Sequence, residues 1–185
     1  MSLTLIRLAR RIVGLVGIAL FAVLVAFSLF THLAPLTGRQ LFVISGGSME
    51  PSVPLGSMVV VTPADAMTIA VGDVVTIRAD NGVVITHRVM RVVDQADGRF
   101  FEMKGDANPN PDAVLVPARA IVGAANQYVP FGGYAREYLS SAVGLVAAVV
   151  VLMALFLIHV LLEALERSVR RIPAGARQSI EPWST

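Results

Sequence analysis

Apolar residues run without interruption near both ends of the chain and alternate with polar residues in the middle. Ile12–Phe30 contains no charged residue, and Leu139–Leu162 contains no Asp, Glu, Lys or Arg. A helix that crosses a bilayer needs about 20 apolar residues. The pattern therefore predicts two membrane-spanning helices on either side of one polar middle segment.

The first apolar run is too long for a cleaved leader, whose apolar core has about 7–15 residues. We therefore expect it to be a retained anchor. The predicted organisation has five parts: an N-terminal segment (1–11), a first span (12–33), an outer domain (34–138), a second span (139–162) and a C-terminal tail (163–185).

Arginines flank both apolar runs on the side of the nearer terminus. They are Arg7, Arg10 and Arg11 before the first run, and Arg167, Arg170, Arg171 and Arg177 after the second. Cationic flanks of membrane spans stay in the cytoplasm. We therefore expect a multi-pass protein of the cell membrane with both termini cytoplasmic and the middle segment outside.

The middle segment reads as short strands separated by turn residues. The runs rich in β-branched and aromatic residues are "LFVIS", "SMVVVT", "VGDVVTIR", "GVVITHRVMRVVD", "RFFEMKG" and "RAIVGAANQYV". Asn81-Gly82 and Asp97-Gly98 lie between such runs, and these pairs are strong hairpin signals. Five or six strands without helical periodicity predict a mostly β fold, with a small antiparallel β domain between two transmembrane helices.

Composition narrows the chemistry that this chain can carry. Hydrophobic residues make up 55% and charged residues 15% of the sequence, against about 25% charged in an ordinary soluble domain. There is no cysteine and there are three histidines, so thiolate and histidine-rich metal sites are not expected. A net charge of +2 without a continuous basic patch argues against a nucleic-acid partner. We expect neither a metal nor a cofactor.

A serine stands in a stretch of turn residues, "ISGGSMEPSVPLG", as Ser48. A serine hydroxyl becomes a useful nucleophile only beside a base that a third group orients. The outer domain offers two bases, His87 and Lys104, and the loop "GDANPNPD" offers two acids, Asp106 and Asp112.

The same residues also have ordinary structural interpretations. Strand alternation places His87 on one face with Val83, Ile85 and Val89, where it could be a core histidine bonded to the backbone. Asn- and Asp-rich loops commonly close turns on their own. The order Ser, His, Asp favours a catalytic arrangement, with the Ser48 N–H as an oxyanion donor. Order alone leaves this open, because triads are recognised by geometry.

Five segments in order resemble the sequence boxes of type I signal peptidases, in the endoplasmic-reticulum and archaeal branch that also occurs in some Gram-positive bacteria. The resemblance covers Phe42 to about Gly132. The segments are "GSMEPSVPLGSMVVV", "VGDVVTIR", "THRV", "KGDANPNPD" and "VGAANQYVPFGG".

The resemblance implies that Ser48 is the nucleophile, His87 the general base, Asp112 the acid that pairs with His87, and Asp106 a supporting acid. Lys104 does not occupy the position of the lysine base found in the main bacterial branch. Many relatives carry a serine two residues before the nucleophile, whereas this chain has Gly46 there. An oxyanion would then rely on the Ser48 N–H or on another donor.

The resemblance implies a membrane-bound serine endopeptidase, signal peptidase I, that acts on secretory precursors at the surface of the lipid bilayer. The substrate would add to a strand edge and leave small residues at −1 and −3 near Val43, Ile44 and Met49. Three alternatives stay open. They are a peptidase for a narrow set of clients, a non-catalytic β domain that serves as an assembly subunit, and a Ser–Lys peptidase that uses Lys104. Accessory subunits and the oligomeric state cannot be read from the sequence.

Overall fold

A computed structural model of the chain describes residues 3–171, so Arg177 and most of the expected tail lie outside the described residues. The chain forms two compact units. Among the described residues, one unit contains 3–27 and 142–171, and the other is Ser28–Ser141.

The first unit consists of helical segments of the kind that the apolar runs predict. Helix α1 is Leu3–Leu33 and helix α3 is Ala142–Arg171. By length and composition, both are long and apolar enough to cross a membrane. Helix α1 starts well before the charge-free run, and its first three turns carry Arg7, Arg10 and Arg11.

Polar side chains connect the two helices within this unit. Glu166 is buried, and its carboxylate lies 2.9 Å from the Nε of Arg7 and 3.5 Å from the Nε of Arg10. His159 lies next to Gly14, and its Nδ1 is 3.2 Å from the carbonyl oxygen of Arg10. This hydrogen bond gives the buried side of the imidazole a polar partner on the other helix.

The second unit is built on a seven-stranded antiparallel sheet with the order β1-β2-β7-β3-β4-β5-β6. The strands are β1 Gln40–Val43, β2 Met58–Thr62, β3 Val74–Arg78, β4 Val84–Gln95, β5 Gly98–Lys104, β6 Val116–Pro117 and β7 Ile121–Val129. This confirms the predicted mostly β domain between two apolar helices. The strand that the sequence did not predict is β6, whose two residues are too few to show an alternating pattern.

Turn residues join the strands where the sequence indicates. Gly82 has φ +81° between β3 and β4, and Gly98 has φ +139° after β4. Asn81 Oδ1 accepts a hydrogen bond from the Val83 N–H. These positive φ values suit glycine, so the two hairpins are set by local chemistry.

Side chains on the two faces of the sheet enter two separate apolar clusters. Val75, Ile77 and Val89 join Phe101 and Met103 in one cluster. The other cluster is made of Ile44, Met49, Val53, Val59 and Val61. Because successive residues of a strand point to opposite faces, β3 contributes to both clusters: Val75 and Ile77 belong to the first, and Val74 packs against the second.

A short helix follows the last strand. Helix α2 is Gly132–Ser140, and a break at Ser141 separates it from α3. A Cβ on Gly133 would lie 2.4 Å from Val43 Cγ1 and 2.7 Å from the Gly56 carbonyl oxygen. Glycine thus lets α2 pack directly onto β1.

Candidate active site

Ser48 lies in a 3-10 helix, Gly47–Met49, between β1 and β2. Met49 is fully buried in the core and anchors this turn, while Ser48 is only partly covered. The Ser48 carbonyl accepts a hydrogen bond of 2.8 Å from the Ala107 N–H. The turn therefore exposes the hydroxyl while its backbone is held against the loop after β5.

Gly105 makes this close approach of the two loops possible. A Cβ at this position would lie 2.6 Å from the Ser48 carbonyl oxygen and 2.9 Å from Ser48 Cβ. Real Cβ contacts are not that short, so a side chain here would push the two loops apart. By contrast, a Cβ on Gly46 would meet nothing within 4 Å.

His87 lies on β4, opposite Val75 of β3. It is 8% exposed and shares its face with the apolar residues of the first cluster, as alternation predicts. Its ring nitrogens point to side chains rather than to the backbone. Nε2 is 3.1 Å from Ser48 Oγ, and Nδ1 is 2.7 Å from Asp112 Oδ2.

Asp112 is presented by the loop between β5 and β6. Its own N–H donates a 2.8 Å hydrogen bond to the Met103 carbonyl oxygen, which fixes it beside the end of β5. Its side chain is 27% exposed. The structure thus brings Ser48, His87 and Asp112 into one line, Oγ to imidazole to carboxylate.

Asp106 is in the same loop but faces a different partner. Its carboxylate accepts a bidentate pair of hydrogen bonds from Arg88, at 2.8 Å from Nε and 2.6 Å from Nη2. The hydrogen bonds from Arg88 hold the pKa of Asp106 below its ordinary value, and a hydrogen bond from Ser52 acts in the same direction. The third donor of Arg88, Nη1, binds the Gly72 carbonyl oxygen at 2.8 Å.

Arg88 was not among the residues singled out from the sequence. Its signal was available, because Arg88 follows His87 directly and alternation sends it to the opposite face. Lys104 lies opposite Arg88 in the β4–β5 register, and within residues 3–171 its ammonium has no hydrogen bond or ion pair.

A cleft of about 230 Å³ lies beside Ser48. Its lining includes the three residues expected near a substrate, Val43, Ile44 and Met49, together with Val84 and Thr86 of β4. Thr86 Oγ1 is 2.8 Å from Thr76 Oγ1, so its hydroxyl is satisfied within the sheet.

Both walls of this cleft are open strand edges. β1 pairs only with β2, and β5 pairs with β4 only from Arg88 onward, so the segment 84–87 pairs with β3 alone. Ile44 exchanges hydrogen bonds with the chain before β2, and Ala79 N–H binds the Val83 carbonyl. Alternation therefore turns the main-chain groups of Val43 and Ser45, and those of Val84 and Thr86, toward the cleft.

No cluster of His, Cys, Asp or Glu with the composition of a metal site occurs within residues 3–171. The arrangement consists of a hydroxyl, an imidazole and a carboxylate beside a cleft with free peptide groups.

Comparison with known proteins gives relatives of one kind. No family model matches the chain. It is 35% identical over 80 residues to "Signal peptidase I W" of Bacillus subtilis, a match that covers 43% of this chain and 42% of that protein. It is 30% identical over 113 residues to "Signal peptidase complex catalytic subunit sec11" of Penicillium rubens, covering 56% of this chain and 64% of that protein.

A longer match is found to "Signal peptidase complex catalytic subunit SEC11" of Lachancea thermotolerans. The two are 32% identical over 133 residues, which is 65% of this chain and 79% of the yeast protein. The chain thus spans less than two thirds of the Bacillus and Penicillium proteins and most of the Lachancea protein. By this similarity and its β domain between two apolar helices, the chain belongs to the type I signal peptidase family, in the endoplasmic-reticulum and archaeal branch.

Proposed function

We propose that this chain is a membrane-bound serine endopeptidase that removes N-terminal signal peptides from exported precursors. The observation that carries the proposal is the line of hydrogen bonds from Ser48 Oγ through His87 to Asp112, at 3.1 and 2.7 Å. A hydroxyl, a base and an orienting carboxylate within hydrogen-bond reach are what nucleophilic acyl transfer requires.

In this mechanism His87 acts as the general base and Asp112 orients it. Nε2 accepts the proton of Ser48 as Oγ attacks the carbonyl carbon of the scissile peptide. The imidazolium then gives this proton to the leaving amine, and the C–N bond breaks to leave an acyl-enzyme. Water, deprotonated by His87, attacks the ester, and the proton returns to Ser48 Oγ as the signal peptide is released.

The N–H of Ser48 serves as an oxyanion donor. Ser48 is the second residue of a 3-10 helix, and the first N–H groups of a helix have no acceptor within it. Such a group, next to the nucleophile itself, points to where the carbonyl oxygen gains charge. Gly46 has no side-chain hydroxyl, so it cannot donate a second hydrogen bond to the oxyanion from a side chain.

The substrate binds as an extended strand in the cleft beside Ser48. The open groups of Val43 and Ser45 on one wall and of Val84 and Thr86 on the other give main-chain hydrogen bonds, which supply affinity without sequence preference. With a volume of about 230 Å³, the cleft has room for small side chains at −1 and −3, next to Ile44 and Met49.

Asp106 supports the site without contact with the substrate. Through Arg88 it ties the loop that carries Asp112 to the strand that carries His87. Asp106 and Arg88 therefore hold the base and its orienting acid in register.

The expected topology puts the site at the outer surface of the membrane. The arginines at the N-terminal side of α1 and the C-terminal side of α3 put both termini in the cytoplasm, and residues 34–138 then face the outer surface. A signal peptide also has an apolar segment in the bilayer. Anchorage of enzyme and substrate in one membrane raises their effective concentration. The proposed chemistry needs no metal or cofactor.

The proposal is tested by cleavage of a signal-peptide-bearing precursor by the purified chain in detergent or liposomes. We expect wild type to cut after a small residue, and Ser48→Ala and His87→Ala to lose this activity. Ser140→Ala and His32→Ala are matched controls, since both residues are exposed and outside the cleft. Cleavage that survives Ser48→Ala would refute the mechanism, and loss with Lys104→Ala but not with His87→Ala would favour the lysine base.

A panel of unrelated precursors separates a general signal peptidase from one with a narrow set of clients. The general enzyme cuts every precursor that has small residues at −1 and −3. A narrow enzyme cuts one class and leaves the rest. If no precursor is cut by wild type, the chain acts as a non-catalytic subunit or requires a partner.

A further inference from the structure

The loop after β5 holds a side-chain amide next to the nucleophile, that of Asn108. Asn108 Nδ2 and Ser48 Cβ each lie 2.9 Å from the point where a Cβ on Gly105 would stand, so less than about 6 Å separates the two atoms. The Asn108 N–H donates a 2.9 Å hydrogen bond to the Gly105 carbonyl oxygen, which fixes this turn of the loop. A side chain at position 105 would collide with both groups, so the glycine keeps the amide and the nucleophile close together.

The side-chain amide of Asn108 has no partner in the part of the chain that the structure describes. Ser48 Oγ is bound to His87, and the Ser48 carbonyl oxygen accepts its hydrogen bond from the Ala107 N–H. Asn108 is half-buried, and its amide carries two N–H donors and one carbonyl acceptor. Polar groups that lose contact with water are usually paired. An amide left open beside a nucleophile is therefore available to a polar group of the substrate.

Strand pairing indicates which part of the substrate reaches this amide. β4 pairs with β3 alone along 84–87, whereas β5 occupies its other edge from Arg88 onward. Ser48 Oγ lies 3.1 Å from Nε2 of His87, the last residue of the free edge. The scissile bond therefore lies at the end of the free edge that β5 closes. The substrate residues before that bond extend along the cleft in the other direction, toward Val84.

The substrate residues after the scissile bond cannot continue along β4. Lys104, the last residue of β5, is paired with Arg88 at that position, so the leaving part of the substrate has to turn away from the sheet. Gly105 follows Lys104 in the chain, and the amide of Asn108 lies beside Gly105. Asn108 is therefore on the leaving side of Ser48, where the substrate no longer has a strand as its partner.

A side-chain amide suits the main chain of a peptide at such a place. It carries the same N–H and C=O groups as a peptide bond, so it can replace one partner of a β ladder. A contact of this kind involves only main-chain atoms of the substrate, and it adds affinity without a preference for side chains.

We propose that Asn108 binds the main chain of the first residue after the cleavage site, with Nδ2 donating a hydrogen bond to the +1 carbonyl oxygen. The proposal rests on the proposed peptidase function and deepens it. It adds a contact on the leaving side to the cleft that receives the residues before the scissile bond.

The test compares two peptide substrates that are identical up to −1 and differ only in the leaving group. The extended substrate continues to +3, whereas the short one ends in p-nitroanilide and has no +1 carbonyl. For each variant, purified in detergent, kcat/KM is measured with both substrates and expressed as the ratio of extended to short. Asn108→Ala should lower this ratio by about three- to tenfold relative to wild type, the range expected for one neutral hydrogen bond. Because the ratio is taken within one variant, partial loss of folded enzyme does not change it.

Three controls locate the effect. Asn110→Ala removes the same amide from an exposed position of the same loop and should keep the wild-type ratio. Asn108→Asp keeps the shape of the side chain but removes its N–H donors, so it should lower the ratio at least as far as Asn108→Ala. A substrate that ends at +1 as a carboxamide keeps the +1 carbonyl and should behave like the extended one.

Several results would overturn the contact. A ratio that stays at the wild-type value in Asn108→Ala does so, and if both rates fall together, the amide acts on the oxyanion or on the position of Ser48 instead. An equal fall of the ratio in Asn110→Ala would assign the effect to the loop as a whole. Failure of wild type to cleave either substrate overturns the peptidase function together with the contact. Cleavage of both substrates with no response to Asn108→Ala overturns the contact alone.

Discussion

His87 and Arg88 are neighbours on β4, and each pairs with one aspartate of the same loop. His87 Nδ1 lies 2.7 Å from Asp112, while Arg88 binds Asp106 through two hydrogen bonds of 2.8 and 2.6 Å. The two carboxylates differ by six positions in the loop between β5 and β6. Because His87 and Arg88 lie on opposite faces of β4, one aspartate of the loop binds an imidazole and the other binds a guanidinium.

The difference shows how the partner of a carboxylate determines what it can do. Asp112 makes one bond to the imidazole and leaves the other ring nitrogen to Ser48, so it can hold a tautomer and stabilise a developing charge. Asp106 is bound by Arg88 and Ser52, which lower its pKa. A carboxylate in this state is a poor proton acceptor, and its contribution is to hold the loop.

The largest contrast is expected in activity. Asp112→Asn should lower kcat by about 10⁴-fold, because the amide favours the wrong tautomer of His87. Asp106→Asn is the same chemical change at the other aspartate of the loop. It should keep kcat within about tenfold, since Asp106 only positions the loop. Precursor cleavage at saturating substrate measures both, and circular dichroism confirms that each variant folds. A loss of equal size in the two variants would remove the division of roles.

A smaller effect is expected where the loop meets the nucleophile. Gly105→Ala puts a methyl group 2.6 Å from the Ser48 carbonyl oxygen and 2.9 Å from Ser48 Cβ, so the two loops must separate. A displacement of about 1 Å at reacting atoms can lower the rate by about 10²-fold. Gly46→Ala is the matched control, because space there is open. Single-turnover cleavage should be slowed in Gly105→Ala and little changed in Gly46→Ala. Equal cleavage rates for the two variants would mean that the loops adjust freely to the added methyl group.

The Arg88–Asp106 pair should matter more for stability than for chemistry. Its side chains are 31% and 15% exposed, between the surface and buried classes of ion pairs. Arg88→Gln or Asp106→Asn should therefore lower the free energy of unfolding by about 1–3 kcal/mol. The double variant should cost less than the sum, as urea titrations in detergent can measure. Strict additivity would mean that the two side chains do not interact.

The smallest effect is a pH dependence of that stability. The pKa of Asp106 is lowered in the folded protein, so the unfolded chain takes up the proton first as pH falls. The contribution of the pair is complete above the ordinary aspartate pKa of about 3.9 and is lost as pH falls from there through the lower folded value.

The measurement compares wild type with Asp106→Asn in unfolding experiments from pH 6 to pH 3. The difference in unfolding free energy should shrink toward pH 3. Asp97→Asn serves as a control, since Asp97 is an exposed turn residue outside the Arg88–Asp106 pair. A constant difference between wild type and Asp106→Asn would show that the ion pair is not its source.

Local patterns were sufficient for the main elements of the fold. Long charge-free runs mark helices α1 and α3, because the hydropathy of a helix that crosses a membrane leaves few alternatives. Glycines with positive φ mark the hairpins at Gly82 and Gly98. Strand β6 and helix α2 were not foreseen, since two residues carry no period and α2 is held by its packing against β1.

For the candidate site, the sequence by itself determined which residues were available. With one histidine and one lysine in the outer domain, the choice of base was already reduced to two side chains, and strand alternation determined that His87 and Arg88 face opposite ways. Only the tertiary structure decided which aspartate each one meets. Asp106 and Asp112 follow the same strand, and the curvature of their loop, the close contact at Gly105 and the hydrogen bond from Asp112 N–H to Met103 place them. These are contacts between distant parts of the chain, which no local pattern encodes.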